Sequence, residues 1–100
     1  MEDTMKTPII VLVEYDFHTG YIGNEVFLFL DIEKAKAFGK NLARKYLENN
    51  KLTESNFQGE SDTFEVEEDN SSYSFITWLD SECDKYKVFV YPKEFEDTRQ

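Results

Sequence analysis

Cysteine, histidine, proline and long apolar runs are scarce in this 100-residue chain, and each shortage excludes something. Cys83 is the single cysteine, so no intramolecular disulfide can form, and the chain suits a reducing compartment. It lies between Glu82 and Asp84, whose charges disfavour the thiolate and make it a poor nucleophile. His18 is the single histidine, so any Ser–His or Cys–His scheme must pass through it. Beside Gly20, it is expected to be a solvated turn residue. The apolar run after Pro8 lasts only from Ile9 to Val13, too short for a signal-peptide core or a membrane span. A cytoplasmic protein is expected (in the host cytoplasm if the source is viral), with no membrane partner. The sequon Asn70-Ser71-Ser72 has no consequence without secretion.

Motifs that would name a reaction are equally scarce. There is no Walker loop, no dinucleotide fingerprint and no zinc-ligand spacing. Glu14-x-Asp16-x-His18 would share one face of an extended strand and could hold a divalent ion, but Asp16 already reaches the loop, where alternation fails. Asp80-x-Glu82-x-Asp84 opens like a calcium loop, yet Lys85 stands where glycine is needed and Tyr91 where the bidentate Glu should be. Gly20-Tyr21-Ile22-Gly23 matches a phosphate-clamping GxxG only superficially. It joins strands rather than helices and carries no cation. No catalytic residue, metal or cofactor is expected, and the chain is not predicted to be an enzyme.

Acid and aromatic residues are what the chain has in abundance. Its 21 carboxylates outweigh 11 Lys and Arg, for a net charge of −10. Residues 54–70 carry seven of those acids and no Lys or Arg: Glu54, Glu60, Asp62, Glu65, Glu67, Glu68 and Asp69. Charge of this density repels nucleic acid and anionic membrane and attracts basic protein surfaces. Six of the cations fall between Lys34 and Lys51 against three acids in residues 31–51, while the rest of the chain sums to −13. That balance opposes direct nucleic-acid binding; the cations suit the solvated face of a helix, pairing neighbouring acids. Sixteen per cent aromatic residues, nine Phe among them, exclude a disordered acidic chain.

The length predicts one domain over residues 1–100, with a loose leader at 1–7, an acidic connecting tract at 54–71 and a charged tail at 93–100. Strands are predicted at Ile9–Tyr15 and Glu25–Leu30 around a loop from Asp16 to Asn24. Asp31 caps a helix with apolar residues at Ile32, Ala35, Phe38, Gly39, Leu42, Ala43, Tyr46 and Leu47, stopping at Asn49-Asn50. Gly39 on that stripe predicts close packing of helix on sheet. A short edge strand at Thr63–Glu67 precedes strands at Ser72–Leu79 and Tyr86–Tyr91. The predicted class is α+β: a small, mainly antiparallel sheet in the order β-β-α-(β)-β-β, with one amphipathic helix on one face.

The strands are apolar on both sides, which implies cover for both faces. The helix supplies one. Either a second copy or another protein covers the other, or the acidic tract folds back over it using Phe57 and Phe64. These features predict a small acidic protein that binds and blocks a basic, nucleic-acid-binding surface of another protein, as inhibitors from phages and mobile elements do, with the seven tract acids in contact. An immunity protein or antitoxin against a basic toxin would use the same physics. The alternative is a homodimeric adaptor acting through an aromatic sheet face, with Phe27, Phe29, Trp78, Phe89 and Tyr91 as candidates.

Overall fold

A computed structural model describes residues 7–93; the predicted leader, apart from Thr7, and the predicted tail, apart from Lys93, lie outside the described residues. The elements run β1 (Ile9–Asp16), β2 (Ile22–Phe29), α1 (Ile32–Asn49), a 3-10 turn (Glu54–Asn56), β3 (Thr63–Glu68), β4 (Tyr73–Leu79) and β5 (Asp84–Pro92). The strands form one sheet in the order β2-β1-β5-β4-β3, every neighbouring pair antiparallel. This is the predicted α+β architecture. The last strand sits in the middle of the sheet, between β1 and β4.

Local chemistry explains the boundaries. The hairpin loop is shorter than predicted: Phe17 N–H donates to the Tyr21 carbonyl at 2.8 Å, and Gly20 takes φ +104°, the left-handed residue that a three-residue loop needs. The side chain of Asp31 accepts from Glu33 N–H at 2.8 Å and starts the helix as predicted. The helix ends at the Asn pair as predicted, with Asn49 its last residue and Asn50 the cap. Lys51 adopts φ 56°, Lys51 N–H donates to Glu48 O and Leu52 N–H to Leu47 O, a Schellman closure with lysine where glycine is usual.

Alternation then sorts the side chains. Ile9, Val11, Val13, Tyr73, Phe75, Val88 and Val90 point to the helix side and form the core with Ala35, Ala43 and Tyr46. The helix lies close: a Cβ added at Gly39 would come within 2.7 Å of Val90 Cγ2. Phe38 packs on Phe27 and Phe29, with ring centroids 4.8 and 5.2 Å away. Tyr46 stacks on Tyr86 at 4.3 Å. Burial pushes the Tyr86 phenol up to about 12. Burial also raises the pKa of the Tyr46 phenol, whose hydroxyl meets no hydrogen-bond partner of good geometry among the described residues. The Thr77 hydroxyl donates to the Tyr86 carbonyl.

Candidate docking face

The even-numbered residues of β1, β2 and β4 and the odd-numbered residues of β3 and β5 occupy the other face. Register sets them in rows across the strands. Leu28, Ile10 and Tyr91 form the first row, and Val26, Leu12, Phe89, Ser74 and Glu67 the second. The third is Asn24, Glu14, Lys87, Ile76 and Glu65, and the fourth Ile22, Asp16, Lys85, Trp78 and Thr63. Six apolar side chains therefore make one block on β2, β1 and β5. Charged residues fill half of the remaining positions on this face.

The block is open to solvent. Leu28 is 67% exposed, Val26 56% and Tyr91 37%, while Ile10, Leu12 and Phe89 are half-buried by their neighbours. Among the described residues the only α-helix lies on the opposite face. The acidic tract does not fold across the open face either. Phe57 packs on Phe64 at 5.3 Å and Phe64 on Phe75 at 5.7 Å, all on the helix side. Contiguous exposed apolar surface of this kind marks an interaction site more often than chance placement.

The five aromatic candidates divide between the faces. Phe27 and Phe29 belong to the helix side under Phe38, a correction that follows from the register, since Phe27 pairs with Val11 and Phe29 with Ile9. Phe89 and Tyr91 lie in the open block. Trp78 shares their face but stands at its far end, beside Lys85, with its indole N–H donated to Asp80 at 3.2 Å.

The seven tract acids likewise do not form a single array. Asp62 accepts from Gly59 N–H at 2.8 Å and Asp80 N–H at 2.9 Å, and so closes two loops. Glu68 faces the helix, 3.2 Å from Lys36 Nζ and 2.9 Å from Lys40 Nζ, and these cations hold its carboxyl below the usual range. Asp69 accepts from Ser71 N–H and the Ser72 hydroxyl, both at 2.9 Å, which lower its pKa. Lys36, a buried lysine, also donates to the Asp69 carbonyl. These three acids serve the fold. Glu54 and Glu60 are exposed on the connecting loops, and Glu65 and Glu67 stand on the open face of the outermost strand β3.

A shallow groove of about 820 Å³ runs where the acidic stripe meets the apolar block. Glu67, Ser74, Ile76, Phe89 and Tyr91 line it from the open face, with Asp69 at its end. An apolar floor beside carboxylates suits a lysine or arginine, whose stem is apolar and whose head is cationic. Four residues of the block, Ile10, Leu12, Val26 and Leu28, were not among the aromatic candidates. Two-sided apolarity of the first two strands is their signal in the sequence.

His18 is an exposed turn residue, as expected, but it is also tied down. Its backbone N–H and Nδ1 both lie 2.9 Å from the Asp84 carboxylate, whose hydrogen bond raises the imidazole pKa. The register neighbours of Glu14 and Asp16 on β5 are Lys87 and Lys85. Among the described residues no group of three His, Cys, Asp or Glu side chains is placed to hold a metal ion. None of their helices is long and apolar enough to cross a membrane. No known family, curated protein or solved structure matches this chain.

Proposed function

We propose that this chain is a non-catalytic protein-binding module that docks onto a basic protein surface through the open face of its sheet and occludes it. The observation that carries the reading is the uncovered block of Ile10, Leu12, Val26, Leu28, Phe89 and Tyr91 beside the acidic stripe of Glu65 and Glu67. The block supplies affinity by apolar burial, and the stripe and the net charge of −10 select for a cationic partner and speed its approach. A nucleic-acid-processing protein presents such a surface, so an inhibitor of the phage or mobile-element type is the role this chemistry favours, acting in the cytoplasm. A basic toxin held by its immunity protein is the same interaction with another target. The site differs from the sequence-based expectation in two respects: the apolar block of the open face joins the contact, and of the tract acids Glu65 and Glu67 take the main part.

The test is affinity capture from extract of the source cells, or of the host if viral. Beads are washed at about 0.1 M and then about 0.5 M salt, which shortens the screening length. A basic protein should be held at the lower salt and released at the higher. Tyr91→Gln should lose it with the fold intact, and Glu65→Gln with Glu67→Gln should weaken capture and flatten its salt dependence. Retention of nothing basic, or equal capture by all variants, would sink the proposal.

A further inference from the structure

The two edges of the sheet differ, and one of them is complementary to itself. On β3 the outermost strand carries Glu65, Glu67 and Glu68, which repel a second copy of the same strand. On β2 the outermost strand is Ile22-Gly23-Asn24-Glu25-Val26-Phe27-Leu28-Phe29, eight residues with one charge. Long apolar edges are templates for pairing. The hairpin shows which groups point outward. Phe17 N–H bonds to Tyr21 O, so alternation along the ladder directs the odd residues of β2 toward β1. The N–H and C=O groups of Ile22, Asn24, Val26 and Leu28 then face outward, unpaired by β1.

We infer that the protein forms a homodimer by antiparallel pairing of β2 with β2 of a second copy, about a two-fold axis at Val26. In this register Val26 meets Val26, Asn24 meets Leu28 and Ile22 meets Leu30 of the other copy, so every outward group finds a partner. A shift that centres the axis on Glu25 would set two carboxylates against each other. With the axis at Val26, Glu25 lies opposite Phe27 instead. The two sheets join into one of ten strands, and the row Phe89–Leu12–Val26 continues into Val26–Leu12–Phe89 of the second copy. The acidic β3 edges end at opposite extremes, which keeps the like charge of the two chains apart. This dimer needs no third protein, so its test is independent of the docking proposal.

Sedimentation equilibrium at about 100 μM in 0.15 M salt should give twice the 11.8 kDa chain mass. Val26→Pro removes an outward N–H, which an edge strand tolerates, and should weaken dimerisation roughly 100-fold with unchanged circular dichroism. If the proline variant does not fold, Val26→Lys, which sets two cations at the axis, decides the matter by the same readout. With Cys83→Ser to remove the exposed native thiol, Val26→Cys should cross-link under mild oxidation and Leu28→Cys should not. Paired Cα atoms at the axis fall within disulfide reach, whereas the two Leu28 positions are four residues out of register. A monomeric wild-type protein, a folded Val26→Pro or Val26→Lys variant that dimerises as well as wild type, or cross-linking at Leu28 in preference to Val26, would overturn the inference.

Discussion

Val88 and Phe89 are neighbours in β5, both apolar, yet Val88 is 0% exposed beneath the helix and Phe89 is half-buried on the bare side. The same contrast separates Phe75 from Ile76 and Val11 from Leu12. Chain position and hydrophobicity are nearly constant within each pair; what changes is whether a second layer exists to remove the side chain from water. Free energy of folding is gained on the helix face, at about 1.5–3 kcal/mol for each fully buried side chain. On the open face much of that free energy is still available to an association.

Substitutions can break or sharpen this contrast. The largest gap is expected between Phe75→Ala and Phe89→Ala. Urea unfolding of the monomer should show a loss of about 3–5 kcal/mol for the first and about 1 kcal/mol for the second. Equal losses would mean that the open face is covered. Gly39→Ala comes next. Its methyl would enter the space held by Val90 and Val88, and about 1–3 kcal/mol of overpacking outweighs the gain of below about 1 kcal/mol in helix propensity. A melting temperature above that of the wild type would show that the helix can lift from the sheet.

Smaller still is the clamp from helix to the β3–β4 turn. Lys36→Ala should cost about 1–2 kcal/mol by stranding the Asp69 carbonyl and releasing Glu68. The folded state lowers the Glu68 pKa below its ordinary 4.5. Its contribution is therefore complete above that value and disappears as pH falls through the folded pKa. Unfolding curves of wild type and Glu68→Gln should differ at pH 7 and converge in acid; a constant gap would place the effect elsewhere. The smallest change expected is Ile76→Thr on the open face, within about 0.5 kcal/mol because a β-branched residue is kept and little burial is lost. A loss comparable to that of Phe75→Ala would erase the distinction between the faces.

Much of the fold was legible in the chain. Asp31 before an i, i+3, i+4 apolar stripe identified the helix and its first residue, β-branched and aromatic runs between turn formers identified four strands, and alternation identified the edge strand at Thr63–Glu67. Gly39 announced close packing correctly. The site was harder to read. Phe27 and Phe29 attracted attention as aromatics, but aromaticity does not say which side of a strand meets a helix. The acids of residues 54–70 were close in sequence, and a turn plus a strand scattered them. Lys36 gave no signal at all, since its partners lie 32 and 33 positions further along the chain.

Sequence by itself determined the element types, the antiparallel class, the excess of negative charge and the existence of two apolar sheet faces, because these follow from periodicity and composition within short windows. Tertiary structure decided that β1 and β5 pair at the centre and that the helix covers the odd-numbered side of β2. It also decided that three of the tract acids are held by the fold while Glu65 and Glu67 remain on the bare face. Those outcomes depend on contacts between residues far apart in the chain, whose energies appear only when the layers meet.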